Sequence, residues 1–198
     1  MKEDSKNSVF WTQFILLAII QVIFCFTPLG NIQIIEGAIP ATTAHLPAIV
    51  AALFLGRRGA LAMGGIMAVC SVIWWSLVGM GLPASFLFIP WAPGGNIFSL
   101  IISILPKVIF PYITAIIFTS ALKLLKDKKK IAGAIAGFIG TLSHSIMLLG
   151  LIYIIFDNSE FFITGGVINA IIEIILGTVI GALAVSRIGL KRNEKRKS

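Results

Sequence analysis

Charge is scarce in this sequence. Of its 198 residues only 12% are Asp, Glu, Lys or Arg, about half the share of an ordinary globular domain. Acidic residues number 8 and histidines 2. So sparse a set, with no paired aspartates, leaves little from which to build a metal or hydrolytic centre. No glycine-rich phosphate loop ending in Lys-Ser/Thr is present, and no His-Glu-x-x-His helix. No enzyme and no cofactor is therefore expected. Without a nucleotide site the chain cannot draw on ATP by itself. Any transport it performs uses an ion gradient, runs passively or depends on a partner. Cysteine is equally rare. Cys25 and Cys70 fall in apolar runs, where thiols pack as small hydrophobes, and a disulfide or metal site has little support. No internal repeat stands out, and no low-complexity region beyond two basic runs.

Apolar residues make up 58% of the chain, and the mean hydropathy is +1.00. The apolar runs are long enough to be helices rather than barrel strands. The expected fold is an all-α integral membrane protein: one domain, 1–198, of six transmembrane helices. The spans are placed at about 8–28, 43–56, 59–79, 97–122, 131–156 and 167–186, which leaves no room for a soluble catalytic domain. The first run, Val9 to Phe26, is followed by no small-residue cleavage site and reads as a retained helix rather than a signal peptide. The net charge of +8 does not point to nucleic acid. Lys2 and Lys6, Arg57 and Arg58, the run Lys123 to Lys130 and the tail Arg187 to Lys197 all sit at the ends of apolar segments. Glu36, Asp157 and Glu160 lie in the alternate connectors. This is the positive-inside pattern, and it predicts cytoplasmic N- and C-termini and a multi-pass protein of the cell membrane.

The connector from Pro28 to Pro47 organises the rest. It holds three prolines, two hydroxyls, Glu36 and His45 between apolar segments. The apolar run after it, Ala48 to Leu55, is short against the roughly 20 residues a spanning helix needs. The connector is therefore expected to fold back toward the membrane as the lid or wall of a cavity, because non-helical backbone survives at that depth only when buried in protein or bathed by water. Gly56-Arg57-Arg58-Gly59 reads as a tight inner turn. Gln13 and Gln21 are expected to face other helices or a partner. Trp74 and Trp75 fall where an interfacial aromatic belt would lie. In the second connector, Gly79 to Asn96, Phe86 and Trp91 either dip into the interface or line a pocket.

Polar residues inside spans carry the functional signal, since ionisable groups in lipid are expensive and usually serve a site or one another. Lys107, between the kinking prolines Pro106 and Pro111, His144 and Glu173 lie at comparable depth on three consecutive helices. Asn169 and Glu173 are i and i+4 on one face. Either Lys107 and Glu173 form an ion pair that locks two helices, or the set lines a pocket for a polar small molecule. Gly133 and Gly137 make a Gly-xxx-Gly pair, with Gly177 and Gly181 on the last span, of the kind that lets helix backbones approach in lipid.

The segment Pro40-Ala-Thr-Thr-Ala-His-Leu-Pro-Ala-Ile-Val with Leu-Gly-Arg-Arg-Gly-Ala resembles the substrate-binding S-components of energy-coupling factor (ECF) vitamin transporters. Pro83-Ala-Ser-Phe, Gly95-Asn96, Leu105-Pro106-Lys107, Ser143-His144-Ser145 and Asn169-xxx-Glu173 follow in the matching order. Within that group the chain looks most like the pantothenate branch. The resemblance implies a six-helix S-component that binds a water-soluble vitamin in its outward half. It also implies an ECF transmembrane coupling protein and two cytoplasmic ATPases as partners in the lipid bilayer. On that reading Lys107 meets the ligand carboxylate. Asn96, His144 and Asn169 bond its hydroxyls and amide, and Glu173 orients Lys107 or accepts a hydroxyl. Phe86 and Trp91 cover the apolar part, and the connector around Thr42 to His45 closes over it. Two departures stand out: Phe14 and Val22 flank Ala18 where members carry small residues four apart, and lysine stands at 107 where many relatives have arginine. The alternatives are an S-component for another vitamin such as cobalamin or folate, an ion-coupled secondary transporter, and a non-transporting assembly factor held by its basic inner loops.

Overall fold

The computed structural model describes residues 2–32, 39–126, 128–157 and 160–186, with side chains from residue 7 onward. Glu36 and the basic tail, both orientation signals above, lie outside the described residues, as do the side chains of Lys2 and Lys6. The chain runs α1 (Lys2–Phe26), β1 (Asn31–Ile32), β2 (Ala41–Thr42), α2 (Leu46–Leu77), two short 3-10 turns (Gly79–Gly81 and Pro83–Leu87), α3 (Ser99–Leu124), α4 (Lys129–Ile155) and α5 (Glu160–Ser186). Among the described residues these five helices are long and apolar enough to cross a bilayer. Their outward side chains, such as Val9, Ile15, Ile73, Ile146, Ile171 and Ile175, are exposed apolar surface suited to lipid.

The count differs from the expected six because the spans at 43–56 and 59–79 both fall within the 32-residue α2. That helix is broken at Gly56, whose φ of 68° and ψ of −164° lie in a region essentially reserved for glycine. The neighbours of each limb show what the break does. Ala44, just before α2, and Cys70 share one buried cluster with Cys25, and Ala52 and Ala60 share another with Ala115. A straight helix would hold Ala44 and Cys70 roughly 40 Å apart at 1.5 Å per residue. The chain instead turns back at Gly56, and its two limbs lie side by side. The first limb, Leu46–Leu55, reaches only about 15 Å.

The connector before it makes up the depth. β1 and β2 form a two-stranded antiparallel ladder, Asn31 opposite Thr42 and Ile32 opposite Ala41, an addition to the all-helical expectation. The Thr43 and Ala44 amides donate to Gly30 O at 3.0 and 3.3 Å, closing its base. Ile39, Pro40, Ala41, Ala44 and His45 are buried, so the connector re-enters the helix bundle. Gln21 on α1 anchors it, its Nε2 donating to Ala44 O at 2.6 Å. Gln13, by contrast, is exposed.

In lipid, packing rests on close approach rather than on expulsion of water. The glycines expected to serve this purpose do so. A Cβ on Gly137 would sit 2.1 Å from Gly177 O, and one on Gly133 would sit 2.2 Å from Gly181 O, so α4 and α5 touch backbone to backbone. α2 meets α3 in the same way. Pro111 cannot donate to the carbonyl four residues back, which is that of Lys107, and Gly64 packs there: a Cβ on it would meet Lys107 O at 2.7 Å. Phe110, Ile49, Met63 and Met67 fill the space between these contacts. The exposed basic residues Arg57, Arg58, Lys123, Lys126, Lys128 and Lys130 gather near Gly56, the end of α3 and the start of α4, at the opposite end of the bundle from the re-entering connector.

Candidate functional site

Beneath the connector lies a cavity enclosing about 710 Å³ of space free of protein atoms, counting its mouth. Lys107 of α3, His144 and Ser145 of α4, and Asn169 and Glu173 of α5 all contribute to its wall, together with Asn31, Pro40 and Thr42 of the connector. Trp74, Trp75, Phe88, Leu148 and Leu149 supply the apolar part. The convergence of the last three helices expected from depth is therefore present.

Each polar group is placed by a local cause. Lys107 faces inward, 7% exposed, on the proline-flanked stretch of α3, and its Nζ lies 5.5 Å from the centroid of the Phe88 ring. Phe88 is itself stacked on Trp75, 4.3 Å between centroids and 11° between planes. Ser103 Oγ donates to Phe88 O and Ser99 Oγ to Phe86 O, each at 2.7 Å, which pins the second connector along α3. Asn169 and Glu173, one turn apart on α5, reach across to the first connector. Asn169 Nδ2 donates to Ile39 O, and the Thr42 amide donates to Glu173 Oε1 at 2.6 Å. The residues that line the hollow thus also hold its cover.

His144 is buried with neither ring nitrogen partnered among the described residues, and Asn169 Oδ1 is likewise unpartnered. Buried polar atoms in folded proteins are almost always hydrogen-bonded, so these are groups with bonding capacity to offer a ligand. Among the described residues no ion pair joins Lys107 to Glu173, so the helix-locking bridge is not formed and both side chains face one space.

Four of the eight expected site residues stand elsewhere. His45 is fully buried but behind the wall: its Nδ1 donates to Thr42 O, and its ring stacks on His144 at 6.3 Å and 16°. Phe86 turns away from the cavity, packing edge-on against Phe156 at 5.2 Å and Phe162 at 5.4 Å. Trp91 is 53% exposed and touches no part of the hollow. Asn96 shapes the turn that opens α3, its Oδ1 accepting from the Phe98 amide at 2.8 Å. The residue two positions on from Phe86, Phe88, is the one that lines the site. Trp74 and Trp75, expected in an interfacial belt, form cavity wall instead, and Trp75 is buried because it stacks on Phe88. Ser145, Asn31, Ser71 and Cys25 also line the space without having been singled out for it. Only Ser145, beside His144 in the same span, carried a usable signal.

The chain is similar to a pantothenic acid transporter. That relative is the pantothenic acid transporter PanT of Lactococcus lactis subsp. cremoris (strain MG1363), 24% identical over 190 residues that cover 90% of this chain and 92% of the relative. The likeness therefore runs through every helix that lines the cavity. No protein-family model matches the chain.

Proposed function

We propose that this chain is the substrate-binding S-component of an ECF-type importer of a water-soluble vitamin, pantothenate first. The observation that carries the reading is the meeting of Lys107, His144, Asn169 and Glu173 in one cavity under a re-entrant connector. Pantothenate offers a carboxylate at one end, an amide in the middle, and two hydroxyls beside a gem-dimethyl group at the other. The Lys107 ammonium meets the carboxylate. His144, Asn169 and Ser145 bond the amide and hydroxyls. Trp75, Phe88 and Leu148 supply the apolar wall along which its carbon chain and dimethyl group pack. The similarity to a pantothenic acid transporter supports the same choice.

On this reading the two limbs of α2 are two of six membrane passages, and the cavity opens to the outside, opposite the basic end. A transmembrane coupling protein and two ATPases supply the energy, and the protein resides in the cell membrane. A larger vitamin such as cobalamin would need a wider mouth and would depend less on Lys107. An ion-coupled carrier transports in cells that lack any coupling module, whereas the proposed S-component does not. The deciding experiment is a thermal-shift screen of the purified protein against water-soluble vitamins. The expected result is a single saturable stabilisation, by pantothenate. Stabilisation by none of them overturns the reading.

A further inference from the structure

Among the described side chains of α1 only Gln21 and Cys25 are buried, while Val9, Ile15, Ile19 and Val22 are exposed. A buried amide in a helix of this kind needs a partner on another element, since hydrocarbon offers none. Gln21 has one: its Nε2 donates to Ala44 O at 2.6 Å, and also to Cys25 Sγ at 3.2 Å. Asn31 returns the tie from the connector, its Nδ2 donating to Cys25 O at 3.2 Å. The pairs Asn31–Thr42 and Ile32–Ala41 carry this hold across the ladder to β2. On its far side the same cover is held by α5, where Asn169 and Glu173 bond Ile39 O and the Thr42 amide. The cover is thus slung between α1 and α5, and α1 itself packs chiefly on α2. Gln21 is no part of the cavity wall, so it acts on a ligand only through the cover.

We propose that Gln21 is a positioning residue for the ligand of the cavity: by tying Ala44 to α1 it keeps the cover seated on Asn169 and Glu173, and so governs how fast a bound molecule leaves. The Thr43 and Ala44 amides donate to Gly30 O, and Thr43 Oγ1 donates to Leu29 O, so Ala44 cannot lift without disturbing the base of the ladder. Without the Gln21 donor, Asn31 is the one side chain among the described residues left bonding the connector to α1. The foot of the cover then works loose, and the Thr42–Glu173 and Asn169–Ile39 bonds at its other edge open more often. Segments with fewer holding contacts open locally at lower free energy than the core. With Gln21 in place, α1 and the cover move as one piece.

The test compares wild type, Gln21→Met and Gln13→Met as full chains in lipid nanodiscs. Methionine nearly keeps the size of glutamine but donates no hydrogen bond, and Gln13, exposed on the same helix, is the control. Without ligand, hydrogen–deuterium exchange in residues 39–46 is expected to be roughly 3- to 20-fold faster in Gln21→Met, the range that a side-chain hydrogen bond between membrane helices supports. Exchange in α4 and α5 is expected to stay at wild-type rates. Pantothenate is expected to leave Gln21→Met faster by a similar factor, with its association rate undiminished. Gln13→Met is expected to match wild type in both measurements. The off-rate effect rests on the vitamin-binding role proposed above, and the exchange effect does not. Failure of wild type to bind pantothenate therefore sinks that role and leaves exchange to decide on Gln21. Unchanged exchange in residues 39–46 of Gln21→Met overturns the proposal, as does acceleration spread evenly through the helices, the mark of a merely structural loss. Gln21→Asn, one methylene shorter, is the milder change and is expected to act in the same direction should Gln21→Met not accumulate.

Discussion

The Thr42 backbone amide donates to Glu173 Oε1 at 2.6 Å, joining the first connector to the last helix across 131 positions of chain. Glu173 therefore works in two directions: one oxygen holds the cover, while its side chain also lines the hollow beneath. Removing one partner of a buried hydrogen bond costs about 1–3 kcal/mol. Glu173→Ala is expected to weaken pantothenate binding roughly 10- to 100-fold, at about 1.4 kcal/mol per decade. Glu173→Gln, which keeps an acceptor for Thr42, is expected to lose less. Isothermal titration calorimetry on the three proteins checks the order, and equal affinities contradict it.

Asn169 and Asn96 provide a paired contrast. Asn169 bonds Ile39 O, leaves its own oxygen unpartnered and lines the cavity, whereas Asn96 shapes the turn before α3. Asn169→Ala is expected to weaken vitamin binding at least tenfold. Asn96→Ala is expected to lower thermal stability by about 1 kcal/mol, as loss of a helix-start side chain does, while affinity stays within error. Trp91→Ala, far from the hollow, is expected to leave affinity unchanged as well.

The glycine contacts predict a stability defect separable from binding. Gly137→Ala places a methyl group where Gly177 O lies 2.1 Å away, so α4 and α5 must separate. Overpacking of this kind costs about 1–3 kcal/mol. A lower melting temperature in detergent is expected, and an unshifted melt contradicts the backbone contact.

Gly56→Ala tests the reversal within α2. A Cβ there meets no neighbour, so crowding plays no part in the effect. The φ of 68° with ψ of −164° is the obstacle. Residues forced into such a region lose about 1–3 kcal/mol. A melting temperature equal to wild type would mean that the chain does not turn there as described.

Much of the site was legible from depth alone. Lys107, His144 and Glu173 are isolated ionisable residues in apolar runs, and counting down each run put them at comparable depth. The helical period then put Asn169 and Glu173 on one face. The glycines of α4 and α5 were legible for the same reason, since four-residue spacing has a direct meaning in a helix. The aromatic wall was not. Gly79–Gly81 and Pro83–Leu87 form 3-10 turns with no period that assigns inside and outside, so Phe86 and Phe88 could not be told apart. Trp75 was misplaced because its burial depends on a stacking partner outside its own helix. The reversal within α2 was legible as well: Gly56-Arg57-Arg58-Gly59 reads as a tight inner turn, and the backbone breaks at Gly56.

The central claim is that the cavity holds a vitamin through Lys107. Its most direct test is calorimetric titration of pantothenate into purified wild-type protein and into Lys107→Met, with the melting temperature of each as a control for folding. The account predicts saturable one-to-one binding at low micromolar or tighter for the wild type, weakened by two orders of magnitude or so in a Lys107→Met protein that still melts cooperatively, the roughly 3 kcal/mol expected when a buried charge partner is removed. Equal affinity in the two proteins, or no heat of binding in the wild type, would contradict it.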